Sequence, residues 1–163
     1  MKTLLLLRHA KSDWDDSSLP DFDRPLASRG KRDAPRVGKA LAKRGPRPEV
    51  IVSSPAARAR ATAQAVIKAA GLTIPAQFDE RIYGASSAEL LTVIRRLPTE
   101  FACALLVGHN PGFEDLLSRL VNSRQHMPTA ALAHVELKVD RWEDVEDDKG
   151  ALVWLITPKM LDD

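Results

Sequence analysis

Short apolar runs alternate along the chain with longer stretches of helical periodicity. Three of the runs are unbroken, which is typical of strands buried on both faces of a parallel sheet. They are Leu4 to Leu7, Val50 to Val52 and Ala104 to Val107. A further run, Ala133 to Val139, alternates apolar and polar residues and predicts a late edge or antiparallel strand. Leu152 to Ile156 predicts the last strand.

Four helices are predicted between these strands from apolar residues at helical spacing. Their limits are Ser28 to Arg44, Pro55 to Ala70, Ala88 to Leu97 and Pro111 to Val121. Pro35 must lie in the first turn of the first helix or kink that helix, because proline has no amide hydrogen. The pattern predicts an α/β fold with a mostly parallel central sheet of about five to six strands and helices on both faces.

The length and composition indicate one domain over residues 1–163, because 163 residues with 44% hydrophobic residues suffice for one buried core. Arg8 ends the first apolar run too early for a signal peptide, and no other segment approaches a membrane span. The single cysteine, Cys103, cannot form an internal disulfide and is predicted to be a buried apolar residue. We therefore expect a cytoplasmic protein, with a monomer favoured.

The net charge is +2, but the charges are unevenly distributed. Lysine and arginine outnumber aspartate and glutamate in residues 1–60, and the reverse holds in the rest of the chain. A mild local excess suits a phosphorylated ligand, whereas a nucleic-acid surface would show a stronger basic stripe with interleaved aromatic residues. The acidic segment Glu143 to Asp148 is interpreted as a solvated loop.

Chemically distinctive residues follow the three unbroken runs, at the sheet edge where ligands collect in open α/β folds. These residues are Arg8-His9, Ser54-Pro55-Ala56-Ala57-Arg58 and Gly108-His109-Asn110-Pro111. Ser54 and Asn110 are favourable N-caps, and the proline after each suits the first helical position. Because helix starts attract phosphate, Arg58 in a first turn would add a planar, charged fork to such a site.

Two histidines with neighbouring arginines indicate phosphoryl transfer to an imidazole nitrogen. We predict that His9 is the nucleophile, that Arg8 and Arg58 bind the phosphoryl oxygens, and that His109, if protonated, donates to the same group. A metal site at His9 and His109 would need a third ligand, and the two arginines would oppose a cation. No metal and no cofactor are therefore expected.

The same motifs resemble those of the histidine phosphatase superfamily, including Thr62 after Arg58. The opening Arg8-His9-Ala10-Lys11-Ser12, the segment Asp21 to Leu26 and the short length are similar to the SixA-type phosphohistidine phosphatases. The resemblance covers about the whole chain. It implies a phosphoglycerate-mutase-like fold and the same four roles for Arg8, His9, Arg58 and His109. Ala10 stands where the superfamily most often has glycine. Many SixA-type members also have alanine at this position.

Three carboxylates are candidates for a general acid in the predicted site. Asp21, Asp23 and Glu80 are the candidates, although each is also typical of an exposed loop carboxylate. The resemblance implies that the acid can be absent. The chemistry permits this when the leaving group is an imidazole, whose conjugate acid has a pKa near ~6.5.

We predict a phosphohydrolase that removes phosphate from a phosphohistidine on a protein, such as a histidine-phosphotransfer domain, through a phosphohistidine intermediate. The short chain leaves little room for a capping insert, which favours an open site and a protein substrate. A broad phosphomonoesterase, a phosphoglycerate-mutase-like transferase and a non-catalytic phosphate-recognition module are the alternatives. No nucleic-acid or membrane partner is expected.

Overall fold

The computed structural model describes residues 1–161 as one six-stranded mixed sheet flanked by four α-helices. The strands are β1 (Lys2–Arg8), β2 (Val50–Ser53), β3 (Gln77–Phe78), β4 (Cys103–Gly108), β5 (Leu132–Leu137) and β6 (Gly150–Ile156). The helices are α1 (Ser28–Arg44), α2 (Ala57–Ala70), α3 (Ser87–Arg95) and α4 (Gly112–Val121). The predicted α/β class is confirmed.

The sheet has the strand order β3-β2-β4-β1-β5-β6. The pairs β2–β3, β2–β4 and β1–β4 are parallel, whereas β5 is antiparallel to both β1 and β6. The mostly parallel sheet and the late antiparallel strand are therefore confirmed. The sequence pattern does not indicate β3, because its two residues are too few to show a period.

Strand β1 separates two apolar layers, which explains its unbroken run of leucines. Leu4 and Leu6 belong to the layer formed with α3 and α4, and Leu5 and Leu7 belong to the layer formed with α1 and α2. All four side chains are fully buried. Since successive side chains in a strand point to opposite faces, only an unbroken apolar run satisfies both layers.

Helix α3 begins one residue earlier than predicted, at Ser87, and two other helices begin later. Helix α2 begins at Ala57 rather than at Pro55, and α4 begins at Gly112 rather than at Pro111. Ser54 and Asn110 are not the N-caps, because the chain makes a short turn after each strand before it becomes helical. Their side chains still accept backbone hydrogen bonds, at 3.2 Å from the Ala56 nitrogen and 3.2 Å from the Glu114 nitrogen.

Pro35 lies in the interior of α1, which excludes the first of the two predicted alternatives, a position in the first turn. The helix continues through it because apolar residues on both sides of the proline, Ala34 and Val37, are fully buried in the layer shared with α2. Within residues 1–161, no helix is long and apolar enough to cross a membrane. Cys103 is buried as predicted, and burial raises the pKa of its thiol to about 12.

Candidate active site

Strands β2, β4 and β1 are neighbours and run parallel, so their carboxyl ends meet at one edge of the sheet. The backbone nitrogen of His9 donates to the Gly108 carbonyl at 3.0 Å, and that of Ser54 donates to the Val107 carbonyl at 2.9 Å. The ring centroids of His9 and His109 lie 5.2 Å apart. The structure therefore brings together the two histidines that the sequence places after separate strands.

The hydrogen bond at Nδ1 fixes the tautomer of His9. This nitrogen lies 2.7 Å from the Ala10 carbonyl oxygen, and a carbonyl can only accept, so Nδ1 carries the hydrogen. Burial lowers the pKa of His9 to about 4, and the nearby charges of Arg58 and Arg8 add to this effect. At neutral pH the imidazole is therefore uncharged, with a lone pair on Nε2.

Thr62 joins the segment that carries His9 to the helix that carries Arg58. The Thr62 hydroxyl accepts from the Ala10 nitrogen at 3.0 Å and donates to the Arg58 carbonyl at 2.7 Å. Ala10 and Thr62 are both fully buried, so neither group has water as an alternative partner. The hydroxyl thus fixes β1 relative to the first turn of α2.

Asp21 holds the guanidinium of Arg58 on one side. Nη1 of Arg58 donates to the Asp21 backbone carbonyl at 2.7 Å, and Nη2 donates to Oδ2 of its carboxylate at 3.0 Å. The Tyr83 hydroxyl donates to the same Oδ2 at 2.6 Å, and Arg24 donates to Oδ1. The Tyr83 hydrogen bond and then the Arg58 guanidinium lower the pKa of Asp21. An ionised carboxylate with these partners orients Arg58.

The other two candidate general acids lie apart from this network. Asp23 and Glu80 are exposed, and neither forms a hydrogen bond or ion pair with His9 or Arg58 in the described part of the chain. Asp21 is the one carboxylate of the three that contacts a predicted site residue. That any of the three donates a proton stays a prediction.

Arg8 reaches the site from the end of β1. Its Nη1 donates to the Met127 carbonyl at 3.1 Å, and its Nε is a buried donor with no partner among residues 1–161. Glu114 lies close enough to oppose the effect of burial on the Arg8 pKa, which is lowered. A buried donor left without a partner is costly unless a ligand satisfies it, and a phosphoryl oxygen is an acceptor of the required kind.

His109 is bonded through one ring nitrogen only. Its Nε2 lies 2.7 Å from the Ser54 hydroxyl, and its Nδ1 is buried with no partner in residues 1–161. Burial, followed by the proximity of His9 and Arg58, lowers the pKa of His109 to about 3. His109 is therefore neutral at neutral pH rather than protonated, because burial and the nearby His9, Arg58 and Arg8 oppose a positive charge on it.

The sequence analysis did not identify two side chains near the site, Arg24 and Tyr83. Arg24 lies within the Asp21 to Leu26 segment that carries the family resemblance, so a signal for it was present. Tyr83 is the single tyrosine of the chain and lies in no recognised motif. Its ring contacts that of His109 edge-on, with the centroids 5.5 Å apart.

The charge of the pocket bears on whether it binds a cation or an anion. Among residues 1–161, no group of three or more His, Cys, Asp or Glu side chains is placed to hold a metal ion. The pKa of His9 is lowered by the positive charges of three arginines, Arg58, Arg8 and Arg24. A pocket of this charge attracts anions.

Residues 4–105 match the model of the histidine phosphatase superfamily, branch 1. The chain belongs to this superfamily, and its α/β fold is phosphoglycerate-mutase-like. Among solved structures it is similar to SixA from Agrobacterium tumefaciens, which is named as a candidate phosphohistidine phosphatase. The two share 32% identity and a TM-score of 0.83, over 96% of this chain and 98% of that one.

Two uncharacterized proteins also match over most of the chain. A chloroplastic protein of Arabidopsis thaliana is 33% identical over 162 residues, which are 94% of this chain and 74% of that protein. A protein of Mycobacterium tuberculosis is 32% identical over 164 residues, 94% of this chain and 100% of that one. Together with the SixA match, the family membership supports a phosphatase.

Proposed function

We propose that the protein is a phosphohydrolase that takes the phosphoryl group of a protein phosphohistidine onto His9 and then releases it to water. The observation that carries the proposal is the neutral His9 imidazole, whose Nδ1 is bonded to Ala10 and whose Nε2 keeps its lone pair. Arginines surround this nucleophile, as an incoming phosphoryl group requires. The similarity to SixA supports the substrate class.

The reaction has two steps. In the first, Nε2 of His9 forms a bond to phosphorus while the bond from phosphorus to the substrate imidazole breaks, and that imidazole, already protonated on its other ring nitrogen, leaves as a neutral molecule. The positive charge that develops on His9 is stabilised by its Nδ1–H bond to the Ala10 carbonyl. Arg8 and Arg58 stabilise the equatorial oxygens. In the second step water attacks phosphorus, phosphate leaves, and His9 is neutral again.

The state of the carboxylates favours nitrogen as the leaving atom. Asp21 is ionised and bonded to Arg58 and Tyr83, which makes it a poor proton donor at neutral pH. In the described part of the chain, neither Asp23 nor Glu80 forms a hydrogen bond or ion pair with His9 or Arg58. An imidazole leaves without a strong acid because its conjugate acid has a pKa near ~6.5, whereas an alkoxide needs a proton.

The connections around the site favour a substrate carried by a protein. The chain passes from β2 to α2 and from β4 to α4 through short turns, with no inserted domain between them. A phosphohistidine on the surface of a histidine-phosphotransfer domain is the partner we propose. A cytoplasmic location and a monomeric state stay predictions from the sequence.

The chemistry is tested by trapping the intermediate. Wild-type protein is mixed with 32P-labelled phosphohistidine peptide and quenched rapidly in alkali, in which phosphohistidine is stable. We expect label on the wild type and on a His126→Ala control, which changes an exposed histidine, and none on His9→Ala. Label on His9→Ala would place the nucleophile elsewhere. Phosphate binding with neither label nor release would identify a recognition module.

The substrate class is tested by rate comparison. The proposal predicts that kcat/KM is higher for a phosphohistidine peptide than for a phosphoserine peptide of the same sequence. The reverse order would identify a broad phosphomonoesterase. Formation of an isomer from a phosphorylated sugar acid, rather than free phosphate, would identify a mutase.

A further inference from the structure

Three aromatic side chains form what we call the aromatic rim: Trp14, Phe22 and Tyr83. The Phe22 ring contacts the Tyr83 ring edge-on at 5.2 Å between centroids, and Tyr83 contacts His109 in the same way at 5.5 Å. Trp14 is 68% exposed and Phe22 is 39% exposed. The aromatic rim therefore runs from solvent to the ring of a predicted site residue.

Trp14 is also connected to the site through Arg24. The guanidinium of Arg24 lies 3.2 Å from the centroid of the Trp14 ring, on its face. Arg24 is itself buried and donates to the Asp21 carboxylate, which in turn holds Arg58. A group of a partner protein that contacts Trp14 would therefore lie close to Arg24, which is bonded to the Asp21 carboxylate of the site.

Hydrogen bonds hold the exposed Trp14 in place. On one side of it, the Asp13 nitrogen donates to the Pro25 carbonyl at 2.8 Å. On the other, the Asp15 nitrogen donates to Oδ1 of Asp13 at 2.8 Å, which closes a turn around Trp14. A large apolar side chain fixed in an exposed position lowers the entropy cost of binding a partner.

Exposed carboxylates flank Trp14 and Phe22 along the chain. Asp15, Asp16 and Asp23 are all exposed on the same segment. The positive Arg24 is already engaged by Asp21 and by the Trp14 ring. A partner surface that covers Trp14 therefore meets an aromatic face bordered by carboxylates, to which basic side chains are complementary.

We propose that the aromatic rim is the docking surface for the protein substrate, and that this substrate carries an apolar residue and basic residues beside its phosphohistidine. The phosphoryl transfer described above uses neither Trp14 nor Phe22, so it leaves their exposure unexplained. Tryptophan, tyrosine and arginine are the residues that most often dominate binding energy at protein interfaces. The inference rests on the proposed function, because it assigns the partner's surface to the same site.

The test compares two synthetic phosphohistidine peptides with each other and with phosphoramidate. One peptide has leucine and lysine beside the phosphohistidine, and the other has serine and glutamate. We expect kcat/KM to be higher for the leucine–lysine peptide. In Trp14→Ala, the ratio of kcat/KM for this peptide to that for phosphoramidate falls about tenfold, as for loss of one aromatic interface contact. Phe22→Ala lowers the same ratio.

One control variant and one charge variant test whether the effect belongs to the aromatic rim. Val153→Ala removes another exposed apolar side chain, on the edge strand β6, and leaves the ratio unchanged. Asp15→Asn lowers kcat/KM for the leucine–lysine peptide and not for phosphoramidate, because only the peptide has basic side chains. Thermal unfolding of each variant confirms that it is folded. An unchanged ratio in both Trp14→Ala and Phe22→Ala would overturn the proposal.

Binding to an inactive protein separates this inference from the proposed function. Fluorescence anisotropy of the labelled leucine–lysine peptide is measured with His9→Ala and with His9→Ala/Trp14→Ala. Weaker binding to the double variant supports the docking surface even if the wild type releases no phosphate. Equal binding overturns the docking surface even if the wild type is an active phosphohistidine phosphatase.

Discussion

Replacing Thr62 by valine removes a single hydroxyl from the connection between His9 and Arg58. The Ala10 nitrogen then loses its acceptor, which lies at 3.0 Å in the wild type. Valine has nearly the shape of threonine, so the surrounding side chains need not move. Because Ala10 and Thr62 are fully buried, no water replaces the lost bond.

The buried position of the lost bond sets the expected loss of stability in Thr62→Val. An unsatisfied buried donor costs about 1–3 kcal/mol, which corresponds to a fall in Tm of roughly 3–10 °C for a chain of this length. Activity should fall as well. The Ala10 carbonyl accepts the hydrogen bond from Nδ1 of His9, and in the variant the Ala10 amide no longer has the bond that holds it in place. If about 1.4 kcal/mol of the lost bond is also lost in the transition state, kcat/KM falls by about tenfold.

Urea unfolding at neutral pH measures the change in the free energy of unfolding, and phosphate release measures kcat/KM. Thr62→Ser keeps the hydroxyl and should retain most of the activity. Thr92→Val makes the same chemical change at an exposed position of α3 and should leave both quantities near wild type. If Thr62→Val were as stable and as active as wild type, the reasoning from the buried bond would be refuted.

Three further predictions follow from the geometry. Arg58→Lys should lower kcat/KM by about 100-fold, because a lysine cannot make two bonds to Asp21 and also present a planar fork to phosphate. The His9 ring should titrate near pH 4 by NMR, since burial lowers its pKa to about 4. The unfolded chain then binds that proton first, so stability falls as the pH falls from about 6.5 through 4, by roughly 3 kcal/mol. Gly30→Ala should destabilise the fold by about 1–3 kcal/mol, because its Cβ would lie 2.2 Å from the Lys11 carbonyl oxygen.

Each of these has a control. Arg60→Lys changes an exposed arginine of the same helix and should leave kcat/KM unchanged. His9→Ala should show a smaller loss of stability between neutral pH and about pH 4 than the wild type, because one proton-binding group is gone. Lys31→Ala, at an exposed position beside Gly30, should unfold at the wild-type temperature. A wild-type Tm for Gly30→Ala would contradict the close approach to Lys11.

The sequence by itself determined the layout of the site. Three runs are apolar without a break, and an unbroken apolar run is required only of a strand that is covered on both faces. The runs are Leu4 to Leu7, Val50 to Val52 and Ala104 to Val107. Parallel strands of one sheet share their carboxyl edge, so residues that follow such runs are brought together whatever the loops do. The proximity of His9 and His109 could be predicted for this reason.

The helix limits were harder to predict from the sequence, because local capping preferences compete there with contacts to distant residues. Ser54 and Asn110 are favourable N-caps with a proline after each, yet both helices start further along the chain. Ser54 bonds His109 as well as the Ala56 nitrogen, and Asn110 bonds the Met127 carbonyl as well as the first turn of α4. Contacts with residues distant in sequence outweigh local preference in such turns.

Only the tertiary structure decided the electrostatic state of the site and the role of its loops. The pKa of His9 depends on burial and on arginines from three different segments, which no local pattern records. Asp21 is one of several loop carboxylates in the sequence, and its contacts with Arg58 and Tyr83 arise because the loops fold over the same sheet edge. Residue order specifies which groups reach that edge, whereas packing specifies their charge and their partners.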